Sequence, residues 1–213
     1  MSQGLEIIGG QARIGARHLY GPLDFTIAPG EVLTIMGPSG VGKSTLLAWI
    51  AGTLDKGVSV QGTVRLNGRD VRALRPERRR IGLLFQDALL FPHLSVGANL
   101  GFGAPAHLRG AARRAAIAEA LARAGLAGFE ARDPAALSGG ERSRVALMRA
   151  LLAEPAAILL DEPFSKLDAQ LRVQMRQFAF GEIARRRLPC LLVTHDPEDA
   201  AAAGGRVLFL QAR

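Results

Sequence analysis

The sequence predicts an α/β fold: a parallel sheet preceded by short antiparallel strands and interrupted by a helical block. Short β-rich apolar runs recur along the chain, each ending at a glycine or a polar side chain. Helical periodicities lie between several of them, and strands alternating with helices indicate a parallel sheet. From Asp87 to about Leu137 the strand signal disappears, which marks that stretch as a helical insertion.

Taken in order, Leu5–Ile8 and Leu23–Ile27 are short alternating segments between glycine turns, and predict antiparallel strands closing at Pro29-Gly30. Val32–Met36 (VLTIM) is a continuous apolar run that meets Gly37 directly, the pattern of a buried parallel strand. STLLAWIAG follows with helical spacing and stops at Gly52. Gly62–Gly68 alternates as another strand, and Ile81–Phe85 reads as a third. Ala111–Leu126 then places apolar residues at helical spacing with charges opposite. Strand character returns in Ala156–Asp161 and Cys190–His195, with a helix from about Asp168 to Arg187 between them. The organisation predicted is one domain over 1–213. Residues 1–86 and 138–213 form the β part and core, and 87–137 form the helical subdomain.

A chain of 213 residues can bury a sizeable core. It has no run of eighteen uncharged apolar residues, so no membrane span is expected. The start, MSQGLEIIGG, lacks the basic and apolar regions of a secretory signal. The single cysteine, Cys190, excludes an internal disulfide and reads as a buried thiol in a reducing compartment. The net charge of +8 raises the question of nucleic acid. Of the 27 basic residues 24 are Arg, however, and their runs (Arg78–Arg80, Arg113–Arg114, Arg185–Arg187) are scattered without interleaved aromatics. Solvated faces are the expectation, and no nucleic-acid partner.

One of the three lysines is Lys43, within Gly37-Pro38-Ser39-Gly40-Val41-Gly42-Lys43-Ser44-Thr45. This is the P-loop pattern, between a predicted strand and a predicted helix. Its glycines let successive N–H groups converge on phosphate oxygens, with a helix dipole behind them. Lys43 brings charge to the β- and γ-phosphates, and Ser44 offers a hydroxyl to Mg²⁺. In Ile158–Pro163 (ILLDEP) an apolar strand ends in Asp161, at the sheet edge where ligands of α/β proteins sit. Asp161 is the expected metal partner, and Glu162 the residue that polarises attacking water.

A second glycine pair lies in LSGGERSR, Leu137–Arg144. Ser138 and Glu141 form an S-x-x-E capping box, which starts a helix without any ligand. The same turn is also a natural seat for an anion.

The full set occurs in a fixed order: the P-loop at 37–45, Gln86 after IGLLF, LSGGE at 137–141, ILLDEP at 158–163, SKLD at 165–168 and His195. This set resembles the ATP-binding subunits of ABC transporters over nearly the whole chain. FQDALLFPHLSVGANL and SKLDAQLR resemble bacterial importer ATPases, above all short thiamine-type subunits and their uncharacterised relatives. The resemblance implies a RecA-like P-loop NTPase core, a small antiparallel β-subdomain and an inserted helical subdomain, with ATP and Mg²⁺ as ligands. It also implies a head-to-tail homodimer. Ser138, Gly139, Gly140 and Glu141 of one copy would cover the ATP held by the P-loop of the other, which explains two cradles in one chain. Gln86 is implied to contact Mg²⁺ or water, His195 the γ-phosphate, and Asp168 the other copy, although Asp168 also suits a helix cap. The family more often has Gln where this chain has Glu141.

The family also places an adenine-stacking aromatic well before the P-loop strand. Here that region is QARIGARHLYG, with Arg13 or Ile14 at the position and Tyr20 closer to the next strand. Weakened discrimination between purine bases is the expectation. The apolar stretch Leu89-Leu90-Phe91, beside Gln86, suits either a docking surface for a membrane permease, near Gln86–Phe91, or a core cluster. Further partners implied are a solute-binding protein, reached indirectly, and a location in the cytoplasm on the inner face of the membrane. A DNA-maintenance or protein-assembly ATPase is the rival reading, but only about fifty residues separate Gln86 from LSGGE, without heptads, and no tandem cassette is present. The solute, thiamine-like or another small polar molecule, is set by other subunits.

Overall fold

The computed structural model describes residues 4–211. In chain order the elements are β1 (Leu5–Ile14), β2 (Arg17–Ile27), β3 (Val32–Met36), α1 (Lys43–Ala51), β4 (Val58–Leu66), β5 (Arg69–Asp70) and β6 (Ile81–Leu84). There follow α2 (Val96–Gly103), α3 (Gly110–Arg123), α4 (Gly139–Leu152), β7 (Ala157–Asp161), α5 (Ala169–Arg186), β8 (Cys190–Val193), α6 (Pro197–Ala203) and β9 (Arg206–Phe209). The chain divides into two compact units. One comprises Met1–Leu83, Ala156–Glu162 and Ile183–Arg213, and the other Leu84–Pro155 and Pro163–Glu182.

The first unit carries an antiparallel sheet ordered β2-β1-β4-β5, and a five-stranded sheet ordered β6-β7-β8-β3-β9. In the latter, β3 pairs in parallel with β8 and β9, and β7 with β8. Apart from the last residues of β3 and β7, the three inner strands β3, β7 and β8 are buried throughout, which is why their sequences are continuous apolar runs. Helix α1 supplies Leu46, Leu47 and Ile50 to one core with Leu5, Ile7 and Ile27 of the antiparallel sheet and Leu33, Leu159 and Leu191 of the parallel sheet.

The antiparallel strands run longer than the sequence predicts. Register shifts between Ile7 and Ala12 break the alternation of β1, so only its first residues carry the period-2 signal. β4 likewise begins at Val58 and runs through Gly62. A Cβ at Gly62 would lie 2.7 Å from the carbonyl oxygens of Ile8 and Gly9, so glycine is demanded where β1 bulges. The strand predicted for Cys190–His195 ends at Val193. The Thr194 hydroxyl donates to buried Asp199 at 2.6 Å and Asp196 caps α6, so the chain turns before His195.

The second unit is helical. Ser95 caps α2 through Ala98 N–H at 3.2 Å, and fully buried Asn99 binds the backbone of Phe91, Leu94 and Ser95, fixing the preceding loop. Arg123 of α3 pairs with buried Glu182 of α5. Phe164 and Phe180 meet edge to face at 5.8 Å.

The expectation that the arginine runs are solvated faces fails at Arg79. That side chain is 7 % exposed and donates to the carbonyls of Trp49 and Ile50, both at 2.8 Å, and of Arg72 and Leu74. It therefore closes the C-terminal end of α1, whose last carbonyls lack intrahelical donors. Burial pulls its pKa below the ordinary guanidinium value. Arg113 is also engaged, donating to the carbonyl of Gly101.

Candidate active site

Strand β3 delivers the chain into the loop Gly37–Gly42, and α1 starts at Lys43. Gly42 takes φ +100, and a Cβ there would lie 2.9 Å from the Tyr20 ring and 3.0 Å from Leu19 Cβ. The β2 residues thus press on the loop from behind, and only glycine satisfies both demands. Whereas Ser95, Ser138 and Asp196 cap their helices, Gly42 provides no side-chain cap to α1. The first-turn N–H groups of α1 thus have no side-chain cap, an arrangement that suits an anion. Lys43 is 7 % exposed, with Nζ donating to the carbonyls of Gly37 at 2.8 Å and Pro38 at 3.0 Å. Its charge is held at the loop, on acceptors that phosphate oxygens can replace.

The end of β7 supplies the acids. The Ser44 hydroxyl donates to Asp161 Oδ1 at 3.3 Å, joining the helix start to the strand end. Burial raises the Asp161 pKa above the ordinary carboxylate value, against the Ser44 hydrogen bond that lowers it. Glu162 adopts φ +46, a left-handed conformation costly for a residue with a Cβ, and its N–H donates to the Val193 carbonyl at 2.9 Å. Its Oε1 lies 3.2 Å from His195 Nδ1. Sequence reasoning assigned Glu162 and His195 separate tasks, and the structure pairs them directly. A cavity of about 400 Å³ is lined by Ser39, Gly40, Gly42, Lys43, Ser44, Thr45, Glu162, Ile14 and Leu19.

The first unit thus brings together Gly37–Thr45, Asp161, Glu162 and His195. The remaining candidates lie in the second unit. Gln86 is exposed in the bend after β6. Ser138 caps α4 in a complete capping box, accepting from Glu141 N–H at 3.3 Å while Glu141 accepts from Ser138 N–H at 2.7 Å. That bond from Ser138 N–H holds the Glu141 pKa below the ordinary value. Asp168 Oδ1 accepts from Leu171 N–H at 2.9 Å at the start of α5, the cap that its sequence position allowed. Ile14, and not Arg13, is the residue that reaches the cavity; Arg13 lines a separate cleft with Gln11, His18, Ser59 and Gln61. Leu19 was not anticipated, and its position behind a P-loop glycine is the signal that could have found it. Of Leu89-Leu90-Phe91, Leu89 is 56 % exposed, while Phe91 packs on Phe102 at 4.7 Å and under the Arg149 guanidinium at 5.3 Å.

Residues 20–165 match the ABC transporter family. An uncharacterised ABC transporter ATP-binding protein of Escherichia coli, YnjD, is 50 % identical over 89 % of this chain and 88 % of its own length. The thiamine import ATP-binding protein ThiQ of Cereibacter sphaeroides is 46 % identical over 88 % of this chain and 80 % of its own. The Fe(3+) ions import ATP-binding protein FbpC 3 of Rhodococcus jostii is 43 % identical over all of this chain, which spans 61 % of that relative's length. Among solved structures, the ATP-binding cassette MJ0796, a dimer in a post-hydrolysis state bound to ADP and phosphate, superposes with a TM-score of 0.79. It is 30 % identical, over 97 % of this chain and 94 % of that one.

Proposed function

The chain belongs to the ABC transporter family of ATPases, and from that premise we propose that it powers a membrane importer by closing head to tail on a second copy of itself. Its reaction is hydrolysis of ATP to ADP and phosphate. The observation that carries the site assignment is the convergence of the uncapped α1 start, Lys43, Ser44, Asp161 and the Glu162–His195 pair on one edge of the parallel sheet. Among the described residues no helix is long and apolar enough to cross a membrane, so coupling to transport falls to partner subunits.

The residues fit ATP with Mg²⁺. A neutral hydroxyl and a carboxylate oxygen 3.3 Å apart form a hard-oxygen pair suited to that ion. Ser44 and Asp161 would hold it. When bound, the ion neutralises charge on the β- and γ-phosphates. The loop amides and Lys43 orient the triphosphate. Glu162 accepts a hydrogen bond from the attacking water and aligns it with the γ-phosphate, its carboxylate positioned by His195 Nδ1. His195 also supplies charge stabilisation near the γ-phosphate.

The second half of the pocket is assigned to Ser138, Gly139, Gly140 and Glu141 of the other copy. A Cβ at Gly139 would meet nothing closer than Leu167 Cδ2 at 3.9 Å, an ordinary contact. Packing within the protomer therefore does not demand glycine there, whereas close approach of a nucleotide on another copy does. Asp168 is the element assigned to communication across that dimer. Glu162→Gln tests the catalytic role. It should bind ATP, lose turnover by about a hundredfold or more, and accumulate nucleotide-bridged dimers in size-exclusion chromatography. Near-normal phosphate release in that variant rejects the role.

The permease is assigned to the apolar surface of the second unit, on Leu89 and on Phe102, which is 70 % exposed. Phe91 is a supporting residue inside that surface and not its contact. Leu89→Asp should abolish permease-dependent cosedimentation with membranes while ATP binding persists; unchanged cosedimentation overturns the assignment. Relatives of the same cassette carry names for thiamine and for Fe(3+) ions, so we assign the choice of solute to a solute-binding protein and the permease. On this reading the chain works at the cytoplasmic face of the membrane.

A further inference from the structure

The Glu162–His195 pair has one end fixed by the sheet. Glu162 N–H donates to the Val193 carbonyl at 2.9 Å, and Thr194 N–H to the Ile35 carbonyl at 3.2 Å, so Glu162 and the end of β8 are anchored to neighbouring strands. His195 lies one residue further, in the bend between β8 and α6. Its side chain is 64 % exposed, so packing does not hold the imidazole 3.2 Å from Glu162 Oε1. What closes the bend is a single hydroxyl. Thr194 Oγ1 donates to Asp199 Oδ2 at 2.6 Å and accepts from Asp196 N–H at 3.1 Å. The two bonds tie the residue before His195 to the residue after it, and both to the first turn of α6. Thr194 is 1 % exposed and Asp199 2 %.

We propose that Thr194 and Asp199 are positioning residues for ATP hydrolysis, a buried clamp that sets the His195 imidazole against Glu162. This rests on the roles assigned to Glu162 and His195 above. Starting α6 does not require the clamp. Asp196 already caps that seven-residue helix, its Oδ1 accepting from Glu198 N–H at 2.8 Å, with Pro197 in the first turn. A carboxylate withdrawn from water costs stability unless it is hydrogen-bonded. A second, buried acid is therefore a costly addition to so short a helix, and Asp199 reaches back past His195 to the Thr194 hydroxyl. The triphosphate is held elsewhere, by the loop amides and Lys43, so loosening the bend acts on turnover and not on nucleotide affinity. Displacement of a catalytic group by about 1 Å can cost up to about a hundredfold in rate.

The test is steady-state ATP hydrolysis, with binding of a fluorescent ATP analogue counted on the same samples. Thr194→Val keeps the shape of the side chain and removes the hydroxyl. It should lower kcat about tenfold, with KM and the bound nucleotide per chain unchanged. Thr194→Ser restores the hydroxyl and should restore kcat, which apolar packing alone would not do. His195→Ala sets the limit, because a clamp that acts through His195 cannot cost more than the loss of His195 itself. Thr194→Ala repeats the measurement should valine disturb the fold, which lost nucleotide binding would reveal. Native kcat in Thr194→Val overturns the clamp. So does a loss greater than that of His195→Ala, a serine variant no better than the valine one, or lost nucleotide binding in both variants without the hydroxyl. Native kcat in His195→Ala overturns the role of His195, and the clamp with it.

Discussion

Asp161 is the carboxylate proposed to hold the cation. It is partly buried between Ser44 and Glu162, and burial raises its pKa, with the Glu162 charge acting in the same direction. In the folded protein the group therefore holds its proton more tightly than in the unfolded chain. Stability then falls as pH rises from the ordinary aspartate range through the raised native pKa, and the penalty is complete above it. At neutral pH Asp161 therefore destabilises the nucleotide-free protein. Asp161→Asn should raise Tm at pH 7, with the gain shrinking as pH falls through the carboxylate range, and should lose the extra stabilisation that Mg²⁺ adds to ATP. A variant less stable than the native protein at pH 7 contradicts this. Glu162, next along the chain, carries the opposite kind of cost, a left-handed backbone φ of +46 that turns its carboxylate to His195.

At the level of elements, α1 is held at both ends by devices of different legibility. Its N-terminal loop was plain in the sequence, because the glycine spacing and Lys43 have one established geometry. Its C-terminal closure by Arg79 was not, since an arginine inside the run Arg78–Arg80 carries no local sign that one of the three is buried. Arg79→Leu leaves the Ile50 carbonyl without its guanidinium donor and the Trp49 carbonyl with only the 3.3 Å bond from Gly52 N–H, and should cost about 2–4 kcal/mol, a Tm drop of about 5–10 °C. A Tm within a degree or two of the native value contradicts the capping role. The same division holds elsewhere. Strands β3 and β7 were legible to within a residue because strands buried on both faces are continuous apolar runs. The hairpin of β1 and β2 was read too short because bulges between Ile7 and Ala12 scramble the alternation. The Ser138 capping box was legible as a helix start, but a cap alone does not distinguish a structural turn from one that also meets a nucleotide. The pairing of Glu162 with His195 joins residues 33 positions apart, and only the parallel register that sets Asp161 beside Val193 reveals it.

At the scale of the whole molecule, the central claim is that each copy holds half of two pockets. The P-loop, Asp161, Glu162 and His195 belong to the first unit of the chain, and Ser138, Gly139 and Gly140 to the second. The solved relative of similar fold is a dimer bound to the products of hydrolysis. If the halves meet between copies, a defect in Lys43 and a defect in Ser138 disable different halves. A Lys43→Ala copy and a Ser138→Ala copy, each inactive alone, then build one intact pocket when they pair. The decisive measurement is phosphate release from an equal mixture of the two variants compared with each alone. Recovery to roughly a quarter of the native rate is the result predicted for random pairing of two-fold dimers with one intact pocket in each mixed pair. A mixture no more active than its separate components, with mixed dimers shown to form, contradicts the claim.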